Sequence, residues 1–137
     1  MKKSRFKPPY LKGEKKTAFP KIQNKSGVYL VKSIRTGDIV YIGYSGSNIY
    51  KTMYRHFQSW NDPTQTRVTY PKKGYIVRVV LTTPKRAQWL ERALILKYKP
   101  KDNPDKLELF QASKKEVKKM DDLKDDYFGE PVTDMPF

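Results

Sequence analysis

Between Gly27 and Tyr98 the chain alternates short unbroken apolar runs with stretches that carry one apolar face. Val28-Tyr29-Leu30-Val31 has no charged member, the pattern of a buried strand. Ile39-Val40-Tyr41-Ile42 repeats it after Arg35-Thr36-Gly37-Asp38, a turn in which Gly37 can take positive φ cheaply. Two strands joined this closely predict an antiparallel hairpin. Ser45-Gly46-Ser47-Asn48 supplies loop and N-cap residues, and a helix is predicted from Ile49 to Ser59 with Met53 and Phe57 on one face. Trp60-Asn61-Asp62-Pro63 ends it. Tyr75 to Thr82, rich in Ile, Val and Leu, predicts a third strand. Pro84 suits the first position of a second helix reaching Tyr98, with Ala87, Leu90, Ala93 and Leu94 as its apolar stripe. Pro100 and Pro104 enclose a loop, a short further element is expected within residues 107–119, and no repeat is visible.

The two ends differ from this middle. Residues 1–25 hold nine lysines and arginines against Glu14, with Pro8, Pro9 and Pro20 opposing helix. They read as an extended basic arm, either solvated or in contact with nucleic acid. Residues 120–137 read as an acidic tail. The expected organisation is therefore an arm (1–25), a globular domain (26–119) and a tail (120–137).

Composition narrows the function. Lys and Arg number 29 against 14 Asp and Glu, a formal net charge of +15. Such an excess suits a polyanionic partner, because basic side chains neutralise phosphates and release counterions. No apolar run approaches the roughly 20 residues that span a bilayer, so no membrane association is expected. No apolar stretch follows the first lysines, so no secretory signal is read. The absence of cysteine excludes disulfides and cysteine-ligated zinc and suits an intracellular, cytoplasmic protein. A lone histidine, His56, excludes a multi-histidine metal site.

Four residues then stand out. Glu91 has Ala87, Gln88, Leu94 and Ile95 as its helical neighbours, none of them basic, so no local ion pair accounts for it. It reads either as a carboxylate at the stripe's edge, exposed or paired with a distant lysine, or as a ligand for a hard cation. Tyr29 and Tyr41 read as strand packing or as site groups. Arg55 reads as a surface residue or a phosphate fork.

Together these residues resemble a known family. Gly27-Val28-Tyr29 and Tyr41-Ile42-Gly43 are similar to the paired signature of GIY-YIG nucleases, with Val in place of the first Ile. Arg55, Trp89-Leu90-Glu91 and Lys99-Pro100-Lys101-Asp102-Asn103 continue the likeness, which covers about residues 26 to 104. Five elements in order are far more specific than one. The resemblance implies an α+β fold, a small three-stranded antiparallel sheet flanked by helices. It implies a metal-dependent DNA endonuclease, with a single Mg²⁺ or Mn²⁺ on Glu91. Tyr29 would serve as general base or relay, Tyr41 would bond near the same water or phosphate, Arg55 would stabilise phosphate charge, and Asn103 would order the site. The alternative is a binding module that kept the fold and lost catalysis, and RNA is a further candidate substrate.

Two departures accompany the likeness. Arg55 lies farther from the second motif than is usual, after an insertion-like stretch from Tyr44 to Tyr50. The family's histidine one turn after the arginine is replaced by Ser59, and His56 adjoins Arg55 instead. On a continuous helix His56 would point about 100° away from Arg55, either reaching the site as an alternative base or packing. Lys51, Arg67, Lys72, Lys73 and Arg78 are candidate nucleic-acid contacts, interleaved with Trp60, Tyr70 and Tyr75 in a manner suited to branched or single-stranded DNA. Lys32 and Lys97 admit the same reading, though a plain surface role serves them as well. Asp134-Met135-Pro136-Phe137 resembles the tip of bacterial single-stranded-DNA-binding proteins. That would imply docking to a protein partner or folding back on the basic surface; a solvated acidic tail is the plainer reading.

Overall fold

A computed structural model describes residues 1–13, 15–58, 68–113, 116–134 and 136–137. Four strands form one sheet: β1 (Lys2–Lys3), β2 (Gly27–Ser33), β3 (Ile39–Ser45) and β4 (Tyr75–Leu81), in the order β1-β4-β2-β3 with every neighbour antiparallel. The helices are α1 (Ile49–Tyr54), α2 (Pro84–Tyr98), α3 (Pro104–Gln111) and α4 (Val117–Gly129). The fold is α+β. The sheet has four strands rather than three because Lys2 and Lys3 pair with Leu81 and Val80 along the edge of β4.

β2 lies between two layers, which is why its run is apolar throughout. Tyr29 and Val31 face α1 and the amino-terminal segment, in a core with Phe19, Ile22, Ile49, Met53, Val77 and Val79. Val28 and Leu30 face the other way, against Leu90, Leu94 and Ile95 of α2 and Leu123 and Tyr127 of α4. Strand alternation thus divides one four-residue run between two cores.

Both ends differ from expectation. The segment 1–25 is laid against the body, with Phe19 and Ile22 fully buried. Its lysines allow this because their stems cover apolar surface while their ammonium groups find partners. Lys7 sits 4.4 Å from the Phe19 ring centre, and Lys3 donates to the Tyr127 carbonyl at 2.8 Å. Asp121, Asp122, Asp125 and Asp126 of the expected tail lie on α4, whose Met120, Leu123 and Tyr127 are buried. Beyond it, Thr133 N–H bonds to the Lys3 carbonyl and Phe137 is 5% exposed, its carbonyl accepting from Lys21 N–H at 2.9 Å. At the end of the chain Phe137 is turned inward, while Asp134 and Pro136 are exposed. No helix among the described residues is long and apolar enough to cross a membrane.

The second motif's glycine has a steric origin. A methyl group on Gly43 would overlap the ring and hydroxyl of Tyr29, its cross-strand partner. Gly27 is required likewise, since a Cβ there would strike the Val80 carbonyl. Gly43→Ala is therefore expected to destabilise the protein by about 1–3 kcal/mol, the usual cost of overpacking. Urea unfolding checks this; a neutral or stabilising result would show that the Tyr29 ring is not fixed against β3.

Candidate active site

α1 begins as read, with Asn48 Oδ1 accepting from Lys51 N–H, but it stops at Tyr54. Arg55–Phe57 winds as a tighter 3-10 turn instead of continuing to Ser59, which itself lies outside the described residues. Tighter winding rotates each residue about 120° rather than 100°, and it delivers His56 into the core, 4% exposed.

There His56 Nε2 lies 2.8 Å from the Tyr29 hydroxyl, and Nδ1 lies 2.7 Å from the Val68 carbonyl oxygen. A carbonyl can only accept, so Nδ1 carries the proton. In the neutral ring Nε2 is then the acceptor, and the Tyr29 hydroxyl donates to it. The Tyr41 ring completes the cluster, 4.5 Å from His56 and 6.1 Å from Tyr29 between centres.

Glu91 enters from α2. Its side chain is 3% exposed, and Oε2 accepts from Lys106 Nζ of α3 at 2.9 Å. Burial pushes the Glu91 carboxyl above the usual carboxylate range, and Lys106 opposes that shift. Burial holds the Tyr29 phenol well above its ordinary value, with the nearby Tyr41 hydroxyl and Glu91 adding to it and Arg55 opposing it. Tyr41 is raised by burial too, offset first by Lys106 and also by Arg55. Tyr29, Tyr41, Arg55, Glu91 and Lys106 therefore share one electrostatic neighbourhood.

Asn103 fastens this neighbourhood to the sheet. Its Oδ1 accepts from Ile42 N–H at 2.8 Å and its Nδ2 donates to the Ile42 carbonyl at 3.0 Å. The amide thus acts as a one-residue strand on the open edge of β3, and for that reason it makes no side-chain cap for α3. Tyr70 donates to Asp102 Oδ2 at 2.6 Å and steadies the same loop.

The other candidate contacts fall elsewhere. Lys51 is exposed on α1. Lys72 and Lys73 line a recess with Phe57 and Tyr70. Arg78 is engaged inside the protein: Nε donates to the Ser4 carbonyl at 2.8 Å and Nη1 to the Tyr127 hydroxyl at 3.0 Å. Arg67 and Trp60 lie outside the described residues. Lys106, Tyr70 and Asp102 were not singled out by sequence as members of this neighbourhood. For Lys106 the only signal was its place one turn after Asn103.

Lys106→Met is expected to destabilise the protein at pH 8 by about 1–3 kcal/mol, less than a fully buried pair because Lys106 is 43% exposed. Glu91's folded pKa is raised, so its proton binds more tightly in the folded state. The associated stability is complete below about pH 4, the unfolded range, and is lost as pH rises through the folded value. Removing Lys106 raises that value further, so the variant's deficit should shrink toward pH 4. A deficit independent of pH in thermal melts would refute the pairing.

This geometry defines a class. The chain belongs to the GIY-YIG family: the GIY-YIG catalytic domain, a nuclease-type domain, matches residues 25–104. It is similar to the UvrABC system protein C of Bacteroides thetaiotaomicron, 37% identical over 82 residues, which are 60% of this chain and 13% of that protein. The UvrABC system protein C of Bacteroides fragilis is 33% identical over 94 residues, 69% of this chain and 14% of that protein. The matches thus span only about one-seventh of these relatives' length.

Proposed function

We propose that the chain is a divalent-metal-dependent DNA endonuclease that hydrolyses a phosphodiester bond held between the Tyr29–His56 pair and Glu91. The observation that carries this reading is the directed hydrogen-bond path from the Tyr29 hydroxyl through His56 to the Val68 carbonyl, within the field of a buried carboxylate.

The site fits a cation. Glu91 is a buried hard oxygen donor, and its Oε2 already holds a positive group, the Lys106 ammonium. Mg²⁺ or Mn²⁺ suits one carboxylate, because such ions keep most of their waters. When bound, the ion supplies positive charge for the phosphoryl oxygens. Mn²⁺ is expected to raise the melting temperature of Lys106→Met more than that of the unaltered protein, since it replaces the missing ammonium.

The chain's own groups account for the proton. Burial keeps the Tyr29 phenol protonated at neutral pH, so it cannot act as a free phenolate. As water attacks phosphorus, its proton passes to the Tyr29 oxygen while the Tyr29 proton moves to His56 Nε2. The P–O bond to the leaving strand then breaks, and the departing oxygen takes a proton from solvent water. The resulting imidazolium is steadied by Val68. Arg55 offsets charge on the phosphate from the side of the two phenols, and the Tyr41 hydroxyl flanks the same space.

Supercoiled plasmid, branched DNA and RNA incubated with the protein in Mg²⁺, Mn²⁺ or EDTA test the reading. DNA is expected to be cut with either metal and not in EDTA. Tight binding with no cut in any polymer would favour a binding module. Cutting confined to RNA would replace DNA as the substrate.

A further inference from the structure

One recess among the described residues lies away from the Tyr29–Glu91 site. It lies at the hairpin end of the sheet, with a volume of about 990 Å³. Its rim carries Lys32, Arg35, Lys99 and Lys101, and Asp38 is the one acidic residue among its lining. Phe6, Tyr75 and Tyr98 form aromatic wall, and Arg78 lies over the Phe6 ring at 4.4 Å.

Two observations point this recess toward the site. First, the walls are continuous. Val40 and Lys101 line the recess, and their neighbours Tyr41 and Asp102 belong to the site and its supporting loop, joined by a 3.0 Å bond from Asp102 N–H to the Val40 carbonyl. A row of rings runs beside that seam: His56 lies 6.4 Å from Tyr70, and Tyr70 lies 4.7 Å from Tyr75. Second, Lys99 ends α2 in the left-handed region, φ 49°. Glycine takes that conformation without strain, whereas a lysine costs about 1 kcal/mol there. A charge is held on the rim at a position where helix-capping alone would favour glycine.

We propose that this recess seats an unpaired stretch of the nucleic-acid strand next to the scissile phosphate. The proposal rests on the nuclease reading above and adds the substrate class. Phosphates meet the rim cations and bases meet the aromatic wall, the combination that binds single strands without sequence preference. A duplex is too wide to enter a recess of this volume, so it does not meet the rim cations and the aromatic wall together.

The test uses the full chain in EDTA, so binding is measured apart from cutting. Fluorescence anisotropy compares a twelve-nucleotide oligothymidylate with a blunt duplex of equal length. The double variant Arg35→Glu/Lys101→Glu reverses two exposed rim charges. Its remote control, Lys15→Glu/Lys118→Glu, reverses two exposed charges that do not line the recess. The rim variant should lose about tenfold or more in single-strand affinity, with a salt slope lower by about 1.4, because two phosphate contacts to a single strand are lost. Duplex binding by the rim variant, and both ligands with the remote variant, should change by no more than about threefold. Equal loss in rim and remote variants would reduce the effect to net charge and overturn the proposal. Equal loss for duplex and single strand would overturn the unpaired-strand class. Circular dichroism of both variants confirms that each is folded.

Discussion

Glu91→Gln is expected to lower DNA cutting by roughly 10³-fold or more, while the protein stays folded. The size follows from losing a cation's worth of charge stabilisation, several kcal/mol at about 1.4 kcal/mol per tenfold. Glutamine keeps the shape of glutamate and removes only its charge. Burial already disfavours that charge, as the raised Glu91 carboxyl indicates, so a neutral amide is well accommodated. Lys106 loses its partner, but at 43% exposure it can turn to water. The melting temperature in EDTA should therefore hold or rise, and its Mn²⁺-dependent increase should disappear. Plasmid nicking in Mg²⁺ and thermal melts with and without Mn²⁺ make the check. A glutamine variant that still nicks at the original rate would remove Glu91 from the reaction.

The contrast between stability and activity also explains which parts of the molecule could be read from its sequence. β2, β3, β4 and α2 were legible because each carries its own local signal: an unbroken apolar run, a glycine turn, or a proline followed by an apolar stripe. That Tyr29, Tyr41, Glu91 and Asn103 would lie in one neighbourhood was legible through motif order. Phe19 and Ile22 were not, because they stand alone among lysines and prolines and have no period. Their burial depends on a core made by distant strands. The α4 signal was present in Met120, Leu123 and Tyr127 at helical spacing, but the acidic residues between them concealed it. The Glu91–Lys106 pair joins two helices across a loop, and helical neighbours of Glu91 say nothing about it. His56 was left between two readings because the expected helix was continuous. Three residues of tighter winding bring its ring to Tyr29.

Tyr29→Phe and His56→Ala are each expected to lower the cutting rate by about 10²–10⁴-fold, the usual contribution of a positioned proton acceptor. The informative quantity is their combination. If the two groups form one relay, removing either breaks it, and removing the second adds little. The double variant should then be no slower than the worse single variant by more than a few-fold. Independent roles would instead multiply the two losses. The singles should also differ in stability. Phenylalanine keeps the ring against Gly43 and loses one buried hydrogen bond, about 1 kcal/mol. Alanine at His56 opens a cavity and strands the Tyr29 hydroxyl, at a cost of about 2–4 kcal/mol. His56→Gln offers a smaller perturbation should the alanine variant fail to fold. Its amide can accept from Tyr29, yet it cannot take the proton on, so it should restore stability without restoring rate. Single-turnover nicking of supercoiled plasmid, beside urea unfolding of the four variants and the unaltered protein, separates the outcomes. Multiplicative losses, or recovery of rate by glutamine, would remove proton transfer through His56.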